Sequence, residues 1–131
     1  MPYSLVVTSH FDAAHYLRDY EGPCQQIHGH RWTVEIELEG ETLNELGILV
    51  DFKDIKKALN RETTDYFDHF LMNELKPFDE INPTAENLAR HIYQSILPDM
   101  RNMGILGVVE LNRVTVWESP ESAATYYEKA L

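Results

Sequence analysis

The stretch His28-Gly29-His30-Arg31-Trp32-Thr33-Val34-Glu35-Ile36-Glu37-Leu38-Glu39 decides the fold. Trp32, Val34, Ile36 and Leu38 alternate with Thr33, Glu35, Glu37 and Glu39, the period-two pattern of a strand with one face buried and the other wet. His28 and His30 fall on the apolar parity, so both imidazoles project from one face of the strand toward the core.

Upstream, residues 4–15 read as a second strand. Leu5, Val7, Phe11 and Ala13 share a face with His15, while His10 lies on the opposite, polar face beside Thr8 and Asp12. The polar segment from Tyr16 to Gln26, with Gly22-Pro23, reads as a loop. Downstream, Asp51 is placed to cap a short helix carrying Phe52, Ile55 and Leu59, and residues 67–75 are expected to form a second helical piece. Thr84 caps a stronger helix whose stripe is Ala85, Leu88, Ala89, Ile92 and Ile96, with His91 off the stripe and Pro98 as its expected end. A last strand is expected over 108–118, with Val114, Val116 and Glu118 on one face. The order strand, strand, helices, strand predicts an α+β fold: an antiparallel sheet with helices on one face. So small a sheet leaves edges that subunit association is one way to cover.

The chain of 131 residues fits a single domain spanning 1–131, without repeats or a Gly/Ser-rich linker. Its formal net charge of −11 argues against nucleic acid or an anionic membrane as the main partner, because either favours a basic stripe. No apolar run approaches a membrane span, and the start Met1-Pro2-Tyr3-Ser4-Leu5-Val6-Val7 lacks the marks of a signal peptide, so a cytoplasmic protein is expected. The single cysteine, Cys24, excludes an internal disulfide framework.

Three of the six histidines, His15, His28 and His30, lie on the inward parity of two strands expected to be neighbours. Three nitrogen ligands with an open fourth position suit a catalytic zinc, whereas a structural site closes with four. Uncompensated, such a buried trio is costly, which favours a metal over scattered core histidines. Cys24, four residues before His28, has three readings: fourth ligand, thiol base beside a metal, or buried filler. Asp68-His69 is an acid–imidazole pair suited to proton relay, although adjacent side chains usually point apart and a solvated pair accounts for it as well. Glu118, at the strand end, either leaves into solvent or accepts two hydrogen bonds from a heterocycle that presents an amino group beside a ring N–H. Thr84 and Glu86 have a sufficient explanation as helix cap and dipole partner. A phosphate-bearing substrate sits awkwardly with so acidic a chain unless Arg18, Arg31 and Lys53 converge on the site.

Taken in order, Phe11-Asp12-Ala13-Ala14-His15, Cys24-Gln25-Gln26-Ile27-His28-Gly29-His30, Val50-Asp51-Phe52, Asp68-His69, Asn82-Pro83-Thr84-Ala85-Glu86-Asn87 and Trp117-Glu118-Ser119 resemble the 6-pyruvoyltetrahydropterin synthase family across nearly the whole chain. Each motif alone is weak; the set, in this order and spacing, is specific. The three-residue gap between Cys24 and His28 resembles the bacterial 6-carboxytetrahydropterin synthases of the queuosine pathway. Phe67, Phe70 and Ser119 depart from that pattern, standing where Leu, His and Thr are more usual.

The resemblance implies a tunnelling fold whose protomers close into a barrel, commonly a homohexamer of two trimers with active sites at subunit interfaces. It implies one zinc ion per protomer on His15, His28 and His30, which polarises the side chain of 7,8-dihydroneopterin triphosphate. Cys24 is then the general base, Asp68 and His69 a second relay, and Glu118 the pterin anchor, with Thr84 and Glu86 as helpers. The implied lyase products are 6-carboxy-5,6,7,8-tetrahydropterin, acetaldehyde and triphosphate. The rivals are a pyruvoyl-type synthase that only eliminates triphosphate, a non-catalytic zinc-stabilised domain that binds a pterin or a partner protein, and a zinc hydrolase.

Overall fold

A computed structural model describes residues 1–128, the side chain of Cys24 excepted. The alternating stretches form the expected strands: β1 spans Tyr3–His15 and β2 His28–Gly40, paired antiparallel. Their register sets Phe11 against Trp32, Ala13 against His30 and His15 against His28. All three histidines therefore gather at one end of the pair. Val109–Ser119 forms β3 on the other side of β2, and Ser122–Tyr126 adds β4, giving the antiparallel order β1-β2-β3-β4.

Strand β4 is only five residues long, with Ala124 and Tyr126 turned toward the core, and its neighbours hold it. Ser119 pairs with Ser122 across a tight hairpin, the Thr115 and Thr125 hydroxyls hydrogen-bond at 2.8 Å, and Tyr126 packs edge-on against Tyr93.

The helices cover one face, α1 (Phe52–Glu62) against β1 and α3 (Ala85–Asn102) across β3 and β4. Asp51 and Thr84 act as the expected N-caps, Asp51 accepting from the Lys53 amide at 2.9 Å and Thr84 from the Asn87 amide at 3.1 Å. Ile55, Ala58 and Leu59 carry the buried stripe of α1, but Phe52 is exposed. Pro98 does not end α3: it lies inside the helix on the exposed face with Gln94, so the carbonyl that loses its partner meets water. Although off the apolar stripe, the ring of His91 is half-buried, wedged edge-on against Phe67 and Phe78.

The helical expectation for 67–75 is only partly met. A short helix α2 spans Thr64–Phe67, and a 3-10 turn spans Met72–Glu74. Between them the chain runs alongside the edge of β1: the His69 amide donates to the Asp12 carbonyl at 2.6 Å and the Ala14 amide to the Phe70 carbonyl at 3.1 Å. An unpaired sheet edge outcompetes helix propensity because it offers partners to backbone groups on both chains.

The other face of the sheet is polar, with Arg113 reaching Glu35 at 2.9 Å and Glu37 at 3.6 Å. A second acidic feature lies between α1 and α3. Burial pushes the Glu62 carboxyl up to about 7, helped by Asp99 and opposed by Arg61. The buried Asp99 Oδ2 has no donor, and a protonated Glu62 supplies one. A carboxyl raised in the folded state stabilises it fully below its unfolded pKa, and that contribution is lost as pH rises through about 7. Glu62→Gln should therefore stabilise the protein by about 1–2 kcal/mol at pH 8, after discounting for partial exposure. It should also flatten the pH dependence of the chemical-denaturation midpoint between pH 5 and about 7.

Candidate metal centre and adjoining cleft

The site begins with backbone carbonyls. His15 Nδ1 lies 2.8 Å from the Pro83 carbonyl, and His28 Nδ1 lies 2.8 Å from the Gln26 carbonyl. A carbonyl only accepts, so both rings carry a proton on Nδ1 and, when neutral, present a bare lone pair on Nε2. The Pro83 carbonyl is held by the start of α3, where Asn82 bonds both the amide and the carbonyl of Arg18, and Asn87 bonds Asn82. The motif Asn82-Pro83-Thr84 thus serves the site through its backbone. Thr84 spends its hydroxyl on the cap and Glu86 is exposed on the first turn, and neither belongs to the histidine cluster.

Trp32 is fully buried beneath the cluster, donates to the Ala13 carbonyl at 3.3 Å and meets both His15 and His30 edge-on. On this floor the Nε2 atoms of His15 and His28 stand 3.0 Å apart. Glu118 Oε1 lies 3.1 Å from His30 Nε2 and 3.4 Å from His15 Nε2. One ligand atom from each of the four residues falls within 4.8 Å of the others. Burial is the main cause that holds His15 and His30 below the ordinary imidazole value, favouring the neutral form a metal needs.

The residues fit a metal on a test internal to the structure. Two lone pairs facing across 3.0 Å repel unless a cation lies between them. The buried His30 Nε2 likewise makes no hydrogen bond. A divalent ion satisfies all of these atoms at once.

Beside the cluster lies a cleft of about 510 Å³, lined by Asp12, Ala13, Ala14, Gly29, His30, Arg31, His69, Phe70 and Leu71. His30 belongs to both cluster and cleft. Contrary to the usual divergence of neighbours, Asp68 and His69 do meet, with His69 Nδ1 at 2.8 Å from Asp68 Oδ2. The left-handed backbone at His69, φ 64°, permits the contact, and the bonds to β1 hold it there. Asp68 Oδ1 meanwhile accepts from the Asp12 amide at 2.8 Å. That bond, followed by the one to His69, holds the Asp68 carboxyl below its usual value and keeps it ionised. His69 donates through Nδ1, leaving Nε2 free to take a proton.

Of the three cations considered, Arg18 is consumed internally, bonding the Ile81, Asn73 and Phe78 carbonyls. Lys53 sits in the first turn of α1, away from the cleft lining. Arg31 alone lines the cleft, and its ion pair with Asp12 is long, at 3.8 Å. Cys24 lies in a 3-10 turn, Pro23–Gln25, shortly before His28, and its side chain is outside the described residues. The departures from the motif pattern separate by role: Phe67 is a buried core ring stacked on Phe11, Phe70 is exposed in the cleft, and Ser119 accepts from the Glu121 amide at 3.2 Å. Sequence reasoning missed the carbonyls of Pro83 and Gln26, which no side-chain pattern marks.

A family profile described as 6-pyruvoyl tetrahydropterin synthase matches residues 4–129. The 6-carboxy-5,6,7,8-tetrahydropterin synthase of Bacillus subtilis (strain 168) is 34% identical over 102 residues, covering 72% of this chain and 67% of that protein. The protein of the same name from Synechocystis sp. is 30% identical over 125 residues, covering 92% and 90%. Among solved structures, 6-pyruvoyl tetrahydropterin synthase from Caenorhabditis elegans matches with a TM-score of 0.82 at 24% identity, covering 97% of this chain and 96% of that one. The Plasmodium vivax enzyme matches with a TM-score of 0.76 at 20% identity over 98% of each chain. These structural matches establish the fold, the T-fold of those synthases.

Proposed function

The chain belongs to the 6-pyruvoyl tetrahydropterin synthase family, and from that premise we propose that it converts 7,8-dihydroneopterin triphosphate and water into 6-carboxy-5,6,7,8-tetrahydropterin, acetaldehyde and triphosphate. The observation that carries this reading is the cluster of His15, His28 and His30 beside a cleft that His30 lines together with His69, the partner of Asp68. The relatives named 6-carboxy-5,6,7,8-tetrahydropterin synthase favour the carboxy product over the pyruvoyl one.

His15, His28 and His30 would hold a single zinc ion, which when bound supplies Lewis-acid polarisation of the substrate's side-chain oxygens. Cys24 as thiolate removes a side-chain proton. His69, oriented by Asp68, holds Nε2 ready to take a proton and return it to the departing fragment. Glu118 accepts from the amino group and ring N–H of the pterin. Incubation of zinc-loaded protein with the triphosphate should release acetaldehyde in proportion to substrate consumed. Triphosphate release without acetaldehyde would assign the pyruvoyl reaction instead, and no release of either would favour a binding domain.

The triphosphate needs a cation, and among the described residues Arg31 is the Lys or Arg that lines the cleft. Arg31→Gln should raise KM for the triphosphate about 10-fold or more, the scale of one charge-assisted contact, and weaken its salt dependence. Cys24→Ala should lower kcat by at least about 10²-fold with zinc content unchanged. Zinc lost in that variant would make the thiol a ligand.

The reading extends to one domain acting as a cytoplasmic homohexamer in queuosine biosynthesis. Supporting the assembly, β1 is an edge strand with Tyr3 and Val6 exposed, and a groove of about 350 Å³ beside it is lined by Leu43, Ile48 and Phe52 among others. No helix among the described residues is long and apolar enough to cross a membrane. Light scattering should give six chain masses; a monomer would remove the interface sites.

A further inference from the structure

Glu118 follows Val114 and Val116 on the inward face of β3, and the irregular pairing between Trp117 and Ser119 leaves its carboxylate turned into the histidine cluster. Its contacts there are not hydrogen bonds. His30 Nε2 is buried and makes none, and His15 Nε2 carries a lone pair because its Nδ1 faces the Pro83 carbonyl. A carboxylate oxygen 3.1 and 3.4 Å from two imidazole nitrogens, held toward the neutral form by burial and offering it no hydrogen bond, gains little from them directly.

The spacing nevertheless has a simple meaning. A tetrahedron with metal–ligand bonds of about 2.0–2.1 Å has edges of about 3.3–3.4 Å. Three of the six edges, 3.0 Å for His15–His28, 3.1 Å for His30–Glu118 and 3.4 Å for His15–Glu118, are at or slightly below that size, and the four ligand atoms lie within 4.8 Å of one another. Glu118 Oε1 is thus close enough to serve as a fourth donor, in the position that three-histidine chemistry leaves open for substrate.

We propose that Glu118 is the fourth metal ligand of the substrate-free protein and leaves the metal when it takes hold of a 2-amino-4-oxopteridine. The two tasks compete. Accepting from an amino group and an adjacent ring N–H aims both carboxylate oxygens at the ring and draws charge from Oε1, which loosens its hold on the cluster. Ring recognition thereby opens the coordination position that the substrate side chain needs. A pterin that fails to engage Glu118 meets a closed site. This inference rests on the reading that His15, His28 and His30 hold a divalent ion.

The test uses Co²⁺ in place of zinc, with neopterin as the probe and wild-type, E118Q and E118D proteins. Wild-type protein should bind one Co²⁺ per chain with the intense visible bands of four-coordinate cobalt, and neopterin should shift those bands. E118Q should bind Co²⁺ about 10-fold or more weakly, with altered bands that neopterin leaves unchanged. E118D, which keeps the charge but draws the carboxylate back by one methylene, should also lose the wild-type bands. Wild-type bands in E118Q or E118D would overturn the ligand assignment, even if affinity fell, because the carboxylate would then act through its charge alone; the three-histidine reading would stand. A neopterin complex with unshifted bands would overturn the exchange. No Co²⁺ or Zn²⁺ bound by the wild-type protein would remove the three-histidine reading as well.

Discussion

Replacing His28 by Ala is expected to cost about a thousandfold in zinc affinity, about 4 kcal/mol. That exceeds the 10–100-fold lost with an outer-shell partner, because a donor itself disappears. Turnover should vanish with the metal. The argument rests on the fixed tautomer: the Gln26 carbonyl holds His28 Nδ1 at 2.8 Å, so Nε2 has no role except as a donor to the cluster. The fold should survive, since His28 is at the open end of the β1–β2 pair and only half-buried. Metal-free His28→Ala should melt no lower than metal-free wild type, because it removes one of two lone pairs opposed across 3.0 Å. Metal titration followed by thermal melting of both forms reads each part separately.

Asp68→Asn should lower kcat about 10³–10⁴-fold while leaving zinc content and KM nearly unchanged, by analogy with the general behaviour of an acid that fixes a histidine tautomer. The Asn carbonyl can still accept from the Asp12 amide, preserving the loop, but it then turns its NH₂ toward His69 Nδ1. His69 responds by carrying its proton on Nε2, the nitrogen needed as acceptor. A fall in kcat without loss of structure distinguishes this from simple misfolding, and a variant with wild-type kcat would leave the pair a surface feature. Because the Asp12 amide and His69 keep Asp68 ionised at unusually low pH, Asp68 should not set the acid limb of the rate profile.

The parts of this molecule legible in the sequence are those with a period. Trp32, Val34, Ile36 and Leu38 announce β2 because one face is buried and the other is wet, and the same parity brings His28 and His30 to the core side. What lacked a period was not legible. Segment 68–71 lies along β1 through backbone hydrogen bonds, which leave no mark on side-chain chemistry, and β4 is too short for the inward pair Ala124 and Tyr126 to show a period. Pro98 reads as a stop because sequence does not say that its face of α3 meets water. At the site, residue types pointed to the histidines. The face Glu118 shares with Val114 and Val116 was legible too, but its approach to the histidines, the carbonyls that fix their tautomers and the left-handed turn at His69 are properties of geometry alone.

The most direct test of the account is the mass of the pterin formed when stripped and zinc-reconstituted protein are each incubated with 7,8-dihydroneopterin triphosphate. The account predicts 6-carboxytetrahydropterin from the reconstituted protein and unchanged substrate from the stripped one. The same product from both, or none from a fully zinc-loaded and assembled protein, would contradict it.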